Sequence, residues 1–316
     1  MQSITLRVVL TKFCSQPCLE QTLESYELCC LVETFPARHT DLQDYLKTLK
    51  VAFLYAKAVA LCPTHWAMTN RVMQRNRRIG CSISGVAQFL AVHSMDVLKT
   101  WLETGYAKVR YYDDVYSDWF AVKNSIKLTS VKPSGTVSLL AGATPGLHYP
   151  ESRFYIRRIR INATSPLVEA LRRKGHPIEP AEHDEHTAVV TFVVDVGEGV
   201  RTSKEVSLWE QLALNAFFQK YWSDNQNSHT VTFDPETEGH QIEAALNFYQ
   251  YQLKGVSFLP RLPEGAYKQM PYSQISEERF HELDAMIDRS PAVAGMLLSP
   301  RDQLQDKFCD GDACVL

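Results

Sequence analysis

Short β-type runs alternate with amphipathic helical stretches through this chain, and no other feature limits its fold as strongly. Residues 188–194, 230–233 and 256–259 are rich in the branched and aromatic side chains that favour strands. Thr40-Asp41-Leu42-Gln43 reads as a capping box, and the helix behind it sets Leu42, Leu46, Leu49 and Phe53 on one face before ending near Cys62-Pro63. A second box, Thr202 to Glu205, opens a helix whose apolar face is Trp209, Leu212, Ala213, Ala216 and Phe217. A third helix starts near Gly239, with Ile242, Leu246, Tyr249 and Leu253 on one side. Strand, helix, strand at these intervals predicts βαβ units and a largely parallel sheet.

With 316 residues, the chain has room for two domains or for one large α/β domain of the barrel kind. Its net charge of −3 gives no electrostatic ground for a nucleic-acid groove. The basic run Arg75-Asn76-Arg77-Arg78 is short, and suits one anion or a solvated loop. No stretch reaches the roughly 20 apolar residues of a membrane span. Residues 1–10 lack the basic start and cleavage site of a signal peptide, so a reducing, cytoplasmic compartment is expected. Eight cysteines are too few for a disulfide scaffold of this length, and none has paired zinc-knuckle spacing. They crowd the two ends, Cys14, Cys18, Cys29 and Cys30 at one and Cys309 and Cys314 at the other, which points to redox or metal chemistry.

Three places carry residue types suited to chemistry. In Gln16-Pro17-Cys18-Leu19-Glu20, followed by Cys29, a thiol lies two residues from a carboxylate, and on an extended loop both can enter one cavity. A buried cysteine beside a surface glutamate is the plainer reading of that spacing. In Lys132-Pro133-Ser134-Gly135-Thr136-Val137-Ser138, after the β-like run 126–131, an early proline leaves backbone N–H groups open at a helix start, an arrangement suited to phosphate. An ordinary strand-to-helix turn uses the same residues. In Cys309-Asp310-Gly311-Asp312-Ala313-Cys314, two cysteines around a glycine can close a small disulfide and shuttle reducing equivalents. An incidental pair of exposed thiols is the alternative.

Together these segments resemble the monomeric class II, adenosylcobalamin-dependent ribonucleoside-triphosphate reductases. The resemblance is carried by residues 18–24 (CLEQTLE), 26–33 (YELCCLVE), 75–80 (RNRRIG), 131–150 (VKPSGTVSLLAGATPGLHYP) and 255–261 (GVSFLPR), and by the terminal cysteine pair. It implies the C-terminal part of a ten-stranded α/β barrel with a central finger loop, followed by a flexible redox tail. It also implies that Cys18 becomes a thiyl radical with adenosylcobalamin as cofactor. Glu20 would then be the general base on the substrate 3′-hydroxyl, and Cys29 one of two reducing thiols. Cys309 and Cys314 would pass electrons on from thioredoxin. Gln16 would offer its amide to the substrate hydroxyls, and Ser134, Gly135 and Thr136 would hold the phosphates of a ribonucleoside triphosphate. No histidine box for cobalt is present, in keeping with the class. Family members are monomeric and need neither nucleic acid nor membrane.

The chain departs from the family at its radical loop, which reads Asn-Pro-Cys-Gly-Glu there but has Gln16 and Leu19 here. Leu19 stands where glycine would permit positive φ. The resemblance predicts an atypical segment over 1–16, a partial catalytic barrel over 17–298 and the redox tail over 299–316. The family's first barrel strands and the partner cysteine of Cys29 lie before the matching region, so this polypeptide alone is expected to be inactive and poorly soluble. A non-catalytic remnant retaining nucleotide or protein binding is the alternative. A thiol acyl-transfer enzyme built on Cys18 would need a histidine base, and no histidine stands in a recognisable nucleophile motif.

Overall fold

The computed structural model describes residues 13–15, 17–261 and 268–290. The expected roles of Gln16, Cys309 and Cys314, and the tail from 299, lie outside these residues. In chain order the strands are β1 (Phe13–Ser15), β2 (Thr22–Glu24), β3 (Leu31–Thr34), β4 (Gly80–Ile83), β5 (Phe154–Asn162), β6 (Ile178–Ala181), β7 (Asp184–Asp195), β8 (Thr230–Phe233), β9 (Ser257–Pro260) and β10 (Tyr272–Gln274). The helices are α1 (Leu42–Leu61), α2 (Ala67–Asn76), α3 (Val86–Val92), α4 (Met95–Trp119), α5 (Gly135–Leu140), α6 (Pro166–Arg173), α7 (Leu208–Tyr221), α8 (Ile242–Tyr249) and α9 (Glu277–Ala285). The fold is α/β. It forms two compact units, one of the described residues up to Pro150 with Glu198–Arg261, the other of Glu151–Gly197 with those after 267.

The first unit is a run of parallel pairings. β3 pairs with β4 from Leu31↔Gly80 to Thr34↔Ile83, and β8 with β9 from Thr230↔Ser257 to Phe233↔Pro260. Between them the run 126–131 makes parallel bridges, Cys81↔Thr129 and Val131↔Asn227, rather than a full strand. The βαβ unit foreseen around 230–259 is present: α8 connects β8 to β9, and Val231, Ala245 and Tyr249 pack with Leu208 and Leu212 of α7. The larger core is built by α1 and α4. Tyr45, Leu49, Phe53 and Ala56 recur at helical spacing on α1 and are buried against Leu98, Leu102, Val109 and Tyr116 of α4. Gly105 permits this approach, because a Cβ there would stand 3.2 Å from Leu49 and 3.3 Å from Trp222. Trp222 is 1% exposed, and its indole N–H is shared between the carbonyls of Cys81 (3.1 Å) and Ser130 (3.2 Å).

Two helix starts differ from the sequence expectation. The N-cap of α1 is Asp41, whose carboxylate accepts from the Asp44 N–H at 2.9 Å, one residue beyond Thr40. The Thr202–Glu205 contact exists, but it closes a turn. The working cap is Ser207, which accepts from the Glu210 N–H, so α7 begins at Leu208, five residues later than a cap at Thr202 would place it.

The second unit is an antiparallel sheet of order β10-β5-β7-β6, with Phe154 and Val193 packed on Phe280 and Leu283 of α9. Residues 188–194 lie within β7, so the largely parallel sheet expected from them is corrected here. β6 runs straight into β7 with only Glu182 and His183 between them, too short for a parallel crossover. No helix among the described residues is long and apolar enough to cross a membrane.

Candidate active site

The loop 17–20 precedes β2 and places Cys18 half-buried and Glu20 fully buried. Leu19 between them has φ +66°, the left-handed conformation that glycine adopts without cost. The Glu20 Oε1 lies 3.4 Å from the Lys132 ammonium, and its Oε2 has no hydrogen-bond partner among the described residues. Cys29 stands just before β3. Burial, and then the charge of Glu20, push its thiol up to about 12, while Lys132 pulls the other way. Burial opposes the charge of Lys132, yet Glu20, Cys18 and Cys29 outweigh it and hold that ammonium above the usual lysine range. The fold therefore brings Cys18, Glu20 and Cys29 together around one lysine.

A second carboxyl belongs to the same group. Glu33, in β3, is raised to about 7, chiefly by burial and further by Glu20. The hydroxyls of Ser84 and Ser82, and Lys132, act against that rise. Ser84 donates to Glu33 Oε1 at 2.6 Å and Ser82 to the same oxygen at 3.1 Å.

The loop from Lys132 leads into α5 with Ser134 at φ +40° and Gly135 at φ +23°. Ser134 is buried, whereas Gly135 and Thr136 are exposed, and the space over Gly135 is open, with nothing within 4 Å of an added Cβ. The Ser134 and Ser84 hydroxyls are 2.5 Å apart. Because Ser84 spends its own proton on Glu33, Ser134 must be the donor of this pair. The Ser134 proton is thus committed inward, and the Gly135 N–H is bonded to the Pro133 carbonyl at 2.6 Å, so what the loop offers outward is the Thr136 hydroxyl and the N–H groups that follow Gly135.

Of the basic run, Asn76, Arg77 and Arg78 are buried and Arg75 is exposed. Arg78 is buried on Glu27 (3.0 Å) and Asn225 (3.2 Å), Arg75 pairs with Glu24 (2.5 Å), and Asn76 donates to both carboxylates. These anions are the chain's own and fix the hairpin that carries the loop 17–20.

Lys132, Glu33, Ser82 and Ser84 were not singled out from the sequence. Lys132 stood in view at the head of the Pro-Ser-Gly-Thr run. The other three meet only through strand register, since Glu33 faces Ser82 across β3 and β4, and no linear spacing signals that.

This architecture is similar to that of solved ribonucleotide reductases. A crystal structure of a B12-dependent class II ribonucleotide reductase superposes with a TM-score of 0.75 and 32% identity, covering 88% of this chain and 43% of that one. The class Id ribonucleotide reductase alpha subunit of Actinobacillus ureae, 17% identical with a TM-score of 0.51, shares the fold. In sequence, the chain is 53% identical over 302 residues to the adenosylcobalamin-dependent ribonucleoside-triphosphate reductase of Euglena gracilis, covering 95% of this chain and 41% of that protein. A protein of Dictyostelium discoideum named as a probable reductase of the same kind is also 53% identical, and the reductase of Lactobacillus leichmannii is 32% identical over 345 residues. No family model matches. The resemblance to these reductases holds along nearly the whole chain, which spans about 41% of the length of the Euglena relative.

Proposed function

We propose that this chain carries the radical site of an adenosylcobalamin-dependent reductase that converts ribonucleoside triphosphates to 2′-deoxyribonucleotides. The observation that carries this reading is the convergence of Cys18, Glu20 and Cys29 on Lys132, which itself begins the Ser134–Thr136 loop. One lysine thus links a thiol and carboxylate pair to a helix start suited to phosphate. The reading places a partial catalytic barrel over 17–298 and a redox tail over 299–316.

When bound, adenosylcobalamin would supply the radical that removes the hydrogen atom of the Cys18 thiol. The residue that would meet that radical is the half-buried Cys18 thiol, two residues from the buried Glu20 carboxyl. The Cys18 thiyl takes the 3′-hydrogen, and Glu20, whose Oε2 has no partner among the described residues, takes the 3′-hydroxyl proton. The 2′-hydroxyl then leaves as water with a proton from the reducing thiol pair, and Cys18 finally returns its hydrogen to the 3′ carbon. Cys29, held protonated by burial and by Glu20, is kept as a thiol until it reduces the substrate radical together with a second thiol. Cys309 and Cys314 reduce the resulting disulfide with electrons from thioredoxin. Thr136 holds phosphate through its hydroxyl and backbone N–H, Gly135 leaves the open space that lets the phosphate approach, and Gln16 contacts the ribose.

The test is cobalamin- and dithiol-dependent formation of deoxyribonucleotide by the full polypeptide that the gene encodes. Cys18→Ser should abolish turnover, and Glu20→Gln should lower it about 100-fold or more. Turnover that survives Cys18→Ser would overturn the reading, and a full polypeptide without cobalamin-dependent turnover would favour a nucleotide-binding remnant.

A further inference from the structure

We propose that Glu33 is a positioning residue for the phosphate loop, acting through Ser82 and Ser84 as a clamp on both ends of residues 132–146. Both serines donate to one oxygen, Glu33 Oε1. With its proton so directed, the Ser82 oxygen accepts the Lys132 backbone N–H at 2.8 Å. The Ser84 oxygen accepts two bonds, from the Gly146 N–H at 2.8 Å and from the Ser134 hydroxyl at 2.5 Å. One carboxyl oxygen therefore orients two hydroxyls, and those hydroxyls tie down the start, the helix entry and the far end of the loop.

The geometry leaves the serines little choice of orientation. A hydroxyl has one proton and two lone pairs, so Ser84 uses its full bonding capacity when it donates to Glu33 and accepts from Gly146 and Ser134. Removing the acceptor at Glu33 frees the Ser84 proton to turn towards Ser134, and two hydroxyls cannot both donate into the same contact. The loop has a second reason to need the clamp. Ser134 holds φ +40°, a conformation that L side chains rarely adopt and that persists only where its surroundings enforce it. The clamp fixes where the Gly135 and Thr136 groups point, and thereby the affinity of the loop for phosphate. Affinity is the part of this inference that rests on the proposed phosphate site, whereas the clamp itself does not.

Two measurements on the purified chain separate these parts: hydrogen exchange of the peptide 131–147, and calorimetric binding of inorganic triphosphate. Glu33→Ala should speed exchange in that peptide and weaken triphosphate binding, each about tenfold, the effect of losing a shared buried acceptor. Glu33→Gln keeps an oxygen at the same place and should restore both to near the wild-type values, whereas Glu33→Met, which fills the space without an oxygen acceptor, should stay as loose as the alanine. Ser84→Ala, which removes only one hydroxyl and so guards against a misfolded Glu33→Ala, should free Ser134 and Gly146 in the same way. Unchanged exchange in both Glu33→Ala and Ser84→Ala overturns the clamp, as does a Glu33→Gln variant as loose as the alanine. Wild-type protein that ignores triphosphate while Glu33→Ala still loosens the loop upholds the clamp and overturns the phosphate reading.

Discussion

Glu33 sits half-buried beside Glu20 with a single lysine between two carboxyls, and its proton affinity is raised to about 7 from an ordinary 4.5. A carboxyl whose folded-state pKa is raised binds its proton more tightly in the native state than in the unfolded chain. Its contribution to stability is therefore greatest below about 4.5, falls as pH rises towards 7, and is level above that. The loss amounts to at most about 3 kcal/mol, from 1.36 kcal/mol per pKa unit. Glu33→Gln has no such proton to lose. Urea titrations of the two proteins from pH 4 to pH 8 should show wild type losing ground against the variant across that window, and parallel curves would remove Glu33 from the titration. At this scale the sequence was informative about single side chains and silent about their pairing. Leu19 was marked as standing where positive φ was wanted, and it adopts φ +66°. The phosphate role expected of Ser134 follows from its place in the Pro-Ser-Gly-Thr run, whereas the contact of its hydroxyl with Ser84, a residue 50 positions away, has no local signal.

Among the elements, α1 and α4 are joined by more than apolar packing. Lys57, wholly buried on α1, donates to Asp113 of α4 at 2.6 Å, to Ser117 at 2.8 Å and to Ser125 at 3.0 Å. Burial lowers the Lys57 ammonium while Asp113 supports it. Taking away one partner of such a pair strands the other, so Asp113→Ala should cost about 3–5 kcal/mol in chemical denaturation. The double variant Lys57→Met/Asp113→Leu should recover most of that loss, and a double variant as unstable as the single one would show that the pair stabilises by more than mutual neutralisation. Helical faces such as Tyr45, Leu49 and Phe53 could be read from the chain because their spacing is local. A lysine in the midst of that face could not be read as buried, since its carboxylate lies 56 residues away. The same reason explains β7. Its apolar run marked a strand, but strand direction is fixed by β5 and β6, and the brevity of the β6–β7 turn is what decides it.

On the scale of the molecule, the parallel run ends at β3 on one side and β9 on the other, and among the described residues each has a strand neighbour on one side only. Edges of this kind pair with other chains unless charge or proline blocks them. Pro260 guards the end of β9, but Leu259 beside it is 54% exposed. Light scattering on the purified chain should therefore report association that grows with concentration, and Leu259→Lys should reduce it. A monomer at all concentrations would mean that these edges are covered. The alternation of strand and helix was enough to foresee the parallel β8–α8–β9 unit, because connection length and direction are written in consecutive residues. The division into a parallel unit and an antiparallel one was not, because the chain leaves the first unit at Pro150 and re-enters it at Glu198.

Trp222 closes α7, and its indole N–H is shared between carbonyls of β4 and of the run 126–131, which backbone bonds such as Cys81 N–H to Leu128 O and Ser130 N–H to Cys81 O already join. The helix layer here adds a rung to that ladder. A helix attached in this way cannot peel away without loosening the seam beneath it. Heat or denaturant should accordingly melt the helical and strand layers of this unit in a single step, with the indole as the fastener common to both.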